Sequence, residues 1–140
     1  DKRTENNMNK KILIVSSNYY TDVSENLELG AIQTLKENNL SFDLFNAPGC
    51  FEIPFLIKKN ITLYDAFIAL GCVIKGDTYH FEVIANETSR KIIDLSIEYT
   101  VPIGFGILTC YNLDQALIRS DLNKKNKGRE AALACIKLIK

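Results

Sequence analysis

The sequence predicts an α/β fold in which a parallel β-sheet lies between two layers of helices. Along residues 11–140, short runs rich in apolar and β-branched residues alternate with longer segments of helical periodicity. This regular order is typical of right-handed βαβ units. Two of the strand-like runs are almost continuously apolar, as expected for parallel strands covered on both faces. A length of 140 residues with 46% hydrophobic content fits one globular domain with its own core.

Four segments are predicted to form the strands. They are residues 12–15, 42–45, 66–73 and 103–108, and each is short and rich in β-forming residues. A sheet wound from such units has helices on both faces, which makes three layers. We expect the flavodoxin-like strand order 2-1-3-4.

Five segments are predicted to form helices. Residues 24–37 place Leu27, Ala31 and Leu35 four positions apart, and a segment that begins near Glu82 repeats apolar side chains at helical spacing up to residue 100. Shorter helices are predicted over residues 52–59, 113–119 and 129–139. The helix over 113–119 follows Asn112 and carries Gln115 three residues later, a pattern typical of a helix N-terminus.

Charge and hydropathy exclude several classes of protein. Lys and Arg together number 17, as do Asp and Glu, so there is no broad basic surface for a nucleic acid. The longest apolar stretch, residues 66–74, is too short to span a membrane. The four cysteines form no C-x-x-C pair, which favours reduced thiols in a cytoplasmic protein. Residues 1–10 are polar and are expected to form a flexible tail before a domain of residues 11–140.

Ligands of such sheets bind outside the carboxyl ends of the strands, which directs attention to four loops. The loop after the third strand carries Gly76, Asp77 and Thr78 directly before a helix, where free backbone N–H groups and the helix dipole favour an anion such as phosphate. A capped helix end without a ligand is the alternative. His80, the only histidine, follows this loop and is a candidate for proton transfer, although a structural or solvent-exposed role is the more usual one for such a residue.

The other loops contribute further candidates. Phe51 and Glu52 follow a tight turn after the second strand and can hold a planar polar ligand, although Glu52 also suits the first turn of a helix. Cys50 is either a nucleophile or a buried thiol. Tyr19 and Tyr20, after the first strand, offer an aromatic ring that can stack on a heteroaromatic substrate, and core packing is the alternative for one of the two. Arg119 and the basic run 124–129 can complete an anion site or form a solvated surface.

Three motifs, taken in order, resemble the lumazine synthase family. The first is PGCFEIP at residues 48–54, and the second is LGCVIKGDTYHF at residues 70–81. The third is GILT at residues 106–109, followed by NKG at residues 126–128. The likeness covers residues 11–140.

The resemblance implies an enzyme of riboflavin biosynthesis. Its reaction joins 5-amino-6-(D-ribitylamino)uracil to 3,4-dihydroxy-2-butanone 4-phosphate and gives 6,7-dimethyl-8-ribityllumazine, phosphate and water. No metal and no redox cofactor is implied. The subunit is expected to have a flavodoxin-like fold and to form a homo-pentamer whose active sites are shared between neighbours, and some relatives form decamers or icosahedral shells.

The resemblance also implies roles for individual residues. The catalytic positions are His80, as proton carrier, and Arg119, which would bind phosphate from the adjacent subunit. The substrate-binding positions are Tyr19, Cys50, Phe51, Glu52, Val73, Ile74, Lys75, Gly76, Asp77, Thr78, Phe105 and Lys127. Phe105 and Lys127 would, like Arg119, come from across the interface.

The sequence departs from the family pattern at a few positions. Lys75 replaces a common Arg, Cys50 a common Ala, and Tyr20 a residue that is often small and polar; Ile118 and Asp121 stand where Glu and Gly are frequent.

Two other functions stay open from the residues alone. One is a protein that binds a flavin-like molecule or builds a shell without catalysis, and the other is an enzyme with Cys50 as nucleophile.

Overall fold

The computed structural model describes residues 10–139, so residues 1–9 of the predicted flexible tail, and Lys140, lie outside the described part of the chain. The strands are β1 Lys11–Ser17, β2 Ser41–Ala47, β3 Ala66–Ile74 and β4 Ile103–Cys110. The helices are α1 Thr21–Glu37, α2 Ile53–Lys59, α3 His80–Tyr99, α4 Leu113–Ser120 and α5 Lys127–Ile139, with a short 3-10 turn at Cys50–Glu52 before α2.

The four strands form one parallel sheet in the order β2-β1-β3-β4, which confirms the predicted topology. Leu13 of β1 lies between Asp43 of β2 and Phe67 of β3, and Ile74 at the end of β3 pairs with Cys110 at the end of β4. Because all four strands run the same way, their carboxyl ends meet at one edge of the sheet.

Each face of the sheet is covered by a helical layer with its own hydrophobic core. On one face, Leu27, Ala31 and Leu35 of α1 pack with buried residues of α4 and α5. On the other face, Ile53 of α2 and Ile92 of α3 pack against β1, β3 and β4. The layers fit the predicted three-layer α/β fold. Within residues 10–139 no helix is both long enough and apolar enough to cross a bilayer.

Four helix starts differ from the prediction by one to three residues. The helix α3 begins at His80 rather than near Glu82, because its first residues are exposed or half-buried and so carry no apolar periodicity. The helix α4 begins as predicted. The side-chain oxygen of Asn112 accepts a hydrogen bond from the Gln115 amide at 2.9 Å.

The first helix begins without a side-chain cap. Tyr20 occupies the N-cap position of α1, and its side chain accepts no hydrogen bond from the first turn. Ser, Thr, Asp or Asn at an N-cap stabilises a helix by about 1 kcal/mol relative to a residue that cannot cap. The tyrosine is therefore a locally unfavourable choice at this position.

Gly128 allows α5 to pack directly on α1. A Cβ atom at this glycine would lie 2.1 Å from the carbonyl oxygen of Leu27, a backbone atom that cannot move without shifting α1. Asn126 precedes it with a positive φ of 43°, and its side chain caps the Arg129 amide at 3.2 Å. The NKG motif thus has a structural explanation.

We expect Gly128→Ala to destabilise the fold by about 3 kcal/mol, because the added methyl group has no space. Chemical denaturation of the variant measures the loss. Gly76→Ala is the matched control for stability, since a Cβ at Gly76 meets no atom within 4 Å. Equal stability of the Gly128→Ala variant and the unmodified chain would contradict the close packing of α5 on α1.

A polar cluster closes the opposite, amino-terminal edge of the sheet. The Tyr64 hydroxyl donates a hydrogen bond of 2.6 Å to the Asp43 carboxylate, which also pairs with Lys11 at 3.1 Å. The bond to Asp43 raises the pKa of Tyr64 to about 12. The pKa of Asp43 is lowered, chiefly by the hydrogen bond from Tyr64 and to a smaller extent by the hydrogen bond from Lys11.

The Tyr64 bond makes stability depend on pH at the alkaline end. The contribution of this bond to the free energy of unfolding is complete below the ordinary tyrosine pKa of 10.0. It is lost as the pH rises through about 12, where the Tyr64 hydroxyl of the folded state loses its proton. We expect the stability difference between the unmodified chain and Tyr64→Phe to shrink over this interval in denaturation curves. A difference that stays constant from pH 9 to pH 12 would show that the bond contributes nothing.

Candidate active site

A cleft of about 280 Å³ opens at the carboxyl edge of the sheet, between the ends of β1 and β3 and the start of α3. Its walls come from the ends of β1 and β3, the segments that follow β1 and β2, and the start of α3. The lining includes Tyr19, Tyr20, Cys50, Val73, Ile74 and His80. Five of these six are predicted site residues, and they converge because they lie at or beyond the carboxyl ends of β1, β2 and β3, which are neighbours in the sheet.

The aromatic wall of the cleft is a pair of tyrosines. Tyr19 is exposed over 75% of its surface, whereas Tyr20 is half-buried against the core beneath α1. Their ring centroids are 5.0 Å apart and their planes are inclined at 78°, an edge-to-face contact. The exposed ring can stack on a planar ligand while the inner ring packs as part of the fold.

The floor of the cleft carries two buried thiols. Cys50 Sγ lies 3.9 Å from the carbonyl oxygen of Cys72. Burial raises the pKa of the Cys50 thiol, and it raises the pKa of the Cys72 thiol to about 12. A raised pKa keeps both groups as neutral thiols at physiological pH. Gly71 leaves the space that Cys50 fills, since a Cβ there would lie 2.7 Å from the Cys50 sulfur.

We expect Cys50→Ala to keep at least about half of the wild-type turnover, because a buried neutral thiol is a poor nucleophile. Steady-state rates of the variant measure this directly. The control is iodoacetamide treatment of the unmodified chain, which should leave Cys50 unalkylated under native conditions. A loss of activity of more than about a hundredfold would restore the Cys50 nucleophile hypothesis.

The loop after β3 carries the residues that were predicted to bind an anion. The Lys75 amide donates to the Cys110 carbonyl at 2.9 Å, which ties the loop to β4. Gly76, Asp77 and Thr78 are exposed, and the Thr78 hydroxyl lies 3.4 Å from the His80 amide. The amides ahead of α3 are thus presented to solvent at the positive end of a 20-residue helix.

Lys75 is oriented by an aromatic neighbour. Its ammonium nitrogen lies 5.6 Å from the centroid of the Tyr111 ring, within the range of a cation–π contact. Both residues are exposed at the ends of β3 and β4. The contact places a positive charge beside the loop that carries Gly76 to Thr78.

Phe51 and Glu52 lie next to the cleft but do not line it. Both belong to the 3-10 turn before α2, and the Glu52 amide donates to the Gly49 carbonyl at 3.2 Å. Phe51 is 59% exposed and borders a separate depression of about 350 Å³ between α2 and α3, together with Pro54 and Arg90. The single chain therefore leaves the Phe51 ring on its surface.

Three predicted site residues lie away from the cleft. Arg119 belongs to α4, on the opposite face of the sheet from α3, and its guanidinium donates to the Gln115 carbonyl at 3.2 Å. Lys127 starts α5 and pairs with Glu130 at 2.7 Å. Phe105 lines an apolar groove between β4 and α3. One chain alone does not bring these three side chains to His80.

Besides Tyr20, four residues of the cleft wall are not among the predicted site residues. Ser17, Gly49, Cys72 and Ile84 complete it. Ile84 follows His80 by four residues, so the shared helix face was a signal for it once the helix start was known. Cys72 lies inside the predicted third strand, where the sequence indicated core packing, whereas Ser17 was expected in the loop after the first strand and is instead the last residue of β1.

Sequence comparisons give the family context of this cleft. A family model described as 6,7-dimethyl-8-ribityllumazine synthase matches residues 9–140. The chain is similar to the 6,7-dimethyl-8-ribityllumazine synthase of Bartonella bacilliformis, with 41% identity across 94% of this chain and 90% of the relative. The enzyme of the same name from Zymomonas mobilis is 44% identical across 92% of this chain and 94% of its own. That from Nitrobacter hamburgensis is 38% identical, covering 93% and 84%.

Proposed function

The chain belongs to the 6,7-dimethyl-8-ribityllumazine synthase family, and we propose that its cleft holds the pyrimidine substrate beside His80 while a second copy of the chain supplies Arg119. The protein is a transferase of riboflavin biosynthesis. It condenses 5-amino-6-(D-ribitylamino)uracil with 3,4-dihydroxy-2-butanone 4-phosphate, releasing phosphate and water.

The pyrimidine ring fits the aromatic and backbone wall of the cleft. In our proposal Tyr19 stacks on the ring, and the backbone of Val73 and Ile74, at the end of β3, binds its polar edge. Cys50 packs below the ring. Phe51 and Glu52 contact the heterocycle and the ribityl chain from the adjoining 3-10 turn.

The phosphate lies at the loop before α3. The exposed amides and hydroxyl of Gly76 to Thr78 donate to its oxygens, and the ammonium of Lys75 adds positive charge. The guanidinium of Arg119 and the ammonium of Lys127 approach from the second copy, together with the Phe105 ring. In this proposal the Asp77 carboxylate points away from the anion, which avoids repulsion.

His80 moves protons during the condensation. In the proposed sequence the amine of the pyrimidine attacks the ketone and forms an imine, and His80 transfers protons as phosphate leaves and the second ring closes. Arg119 and the loop amides stabilise the departing dianion. Holding both substrates in one cleft supplies much of the acceleration, since orientation alone contributes about 7–11 kcal/mol.

An exposed apolar surface supports the assembly that this site requires. Ile93 and Ile97 of α3 are 57% and 73% exposed, and with Phe105 they border a groove of about 300 Å³. Apolar surface of this kind typically marks a protein–protein interface. We propose a homo-pentamer, with a decamer or a shell as larger forms, in the cytoplasm, where the four free cysteines stay reduced.

Size-exclusion chromatography with light scattering tests the proposed assembly. We expect a mass about five times that of the 15.8 kDa chain, or a multiple of that mass. A monomer that turns over both substrates would overturn the shared-site proposal.

Mixing the two substrates with the protein tests the catalytic role. We expect the absorbance of the lumazine product to rise in proportion to protein concentration, together with release of inorganic phosphate. A binding protein without catalysis would instead change only the spectrum of the bound pyrimidine, in a stoichiometric amount. Heat-inactivated protein is the control for the uncatalysed condensation.

A further inference from the structure

We propose that Tyr20 is a positioning residue, which holds the Tyr19 ring in the orientation that stacks on the pyrimidine. The inference rests on the proposed use of the cleft for that substrate. It concerns a position where this chain carries a bulky aromatic residue at the entrance to a helix. The local structure gives this residue no advantage there, because its side chain does not cap α1.

The packing of Tyr20 gives it a fixed position. Its ring is half-buried against the core beneath α1, and its carbonyl accepts the Ser24 amide at 2.9 Å in the first turn of that helix. Burial raises the pKa of Tyr20, with smaller contributions from Cys72, Tyr19 and Cys50, so the ring is in the neutral form next to the thiol floor of the cleft. The backbone bond fixes the position of the residue, and the packing of its ring against the core limits the rotation of the side chain.

Tyr19 has the opposite environment. Three quarters of its surface is exposed, and its ring contact among the described residues is the edge-to-face pair with Tyr20 at 5.0 Å. An exposed tyrosine on a loop samples several rotamers, and in the proposed site only an orientation that lies flat over the pyrimidine stacks on it. The Tyr20 ring selects among these rotamers because an edge-to-face pair is directional.

The test compares two variants that share the apolar packing of Tyr20 on the core. Tyr20→Phe keeps the ring, and we expect its KM for the pyrimidine to stay within about two-fold of wild type. Tyr20→Leu keeps apolar contact but loses the ring edge, and its KM for the pyrimidine should rise about five-fold. The kcat and the KM for the butanone phosphate should change by less than about two-fold in both variants. Thermal unfolding of each variant identifies any general loss of structure.

A double-mutant comparison separates positioning from direct contact. If Tyr20 acts through Tyr19, Tyr20→Leu should have no further effect on the pyrimidine KM in a Tyr19→Ala background. A further increase in that background, or an unchanged KM for Tyr20→Leu alone, would overturn the inference. If Tyr19→Ala also leaves the KM unchanged, the proposed pyrimidine cleft fails as well, which distinguishes the two failures.

Discussion

Replacing Arg119 by Ala is expected to raise the KM for 3,4-dihydroxy-2-butanone 4-phosphate by about 10- to 100-fold, with a smaller effect on the KM for the pyrimidine. A guanidinium makes paired, charge-assisted hydrogen bonds to phosphate, and alanine removes all of them. Among the described residues, the Arg119 guanidinium donates a hydrogen bond to a carbonyl of its own helix at 3.2 Å and lies near the Cys110 thiol, but it forms no ion pair. It is therefore free to be redirected towards a ligand at an interface.

Arg129→Ala is the matched control for the loss of an arginine. Arg129 is an exposed residue of α5, two positions after Lys127, and its guanidinium bonds Glu37 of α1 at 3.1 Å and Thr34 at 3.5 Å, so its side chain is committed to α1. We expect its removal to leave both KM values within about two-fold of wild type. Arg119→Lys should restore part of the phosphate affinity. An unchanged KM in Arg119→Ala would remove this residue from the phosphate role.

Replacing His80 by Ala is expected to lower kcat by about 10- to 100-fold while both KM values change little. The imidazole is the proton carrier of the proposed mechanism, so its loss affects the chemical steps. The loss is partial because the cleft still brings the two substrates together. His80 is exposed at the first position of α3 and borders the cleft, where solvent can exchange its proton.

Small basic buffers provide the control for the His80 variant. Imidazole added to His80→Ala should recover part of the lost rate, whereas it should not affect Arg119→Ala. Thermal unfolding should show an intact fold, because an exposed first-turn side chain contributes little to stability. A variant with unchanged kcat would exclude His80 as the proton carrier.

The fold was predictable because its signals are local. Apolar strands and helices with residues such as Leu27, Ala31 and Leu35 at four-residue spacing specify the layers, and the right-handed crossover rule restricts the order of the strands. Helix ends were less predictable. Gly128 is typical of a turn in sequence, yet it is buried inside α5 because only a glycine fits against the Leu27 carbonyl.

The cleft was predictable only in part, namely for the residues whose positions follow from the order of the strands. Tyr19, Cys50 and His80 converge because the ends of parallel strands share one edge of the sheet. Phe105, Arg119 and Lys127 lie elsewhere in the chain, and contacts between copies leave no periodic signal in a single sequence. Their proposed roles depend on family resemblance rather than on spacing.

The central claim is that each active site takes His80 from one copy and Arg119 from another, and mixing inactive variants tests it directly. The His80→Ala and Arg119→Ala chains are unfolded together, refolded in equal amounts and assayed at low butanone phosphate concentration, with each variant refolded alone as the control. Random assembly should give about a quarter of the sites both intact residues, and so about a quarter of wild-type activity. Activity no higher than the mean of the two separate variants would contradict the account, because a site built within one chain gains nothing from mixing.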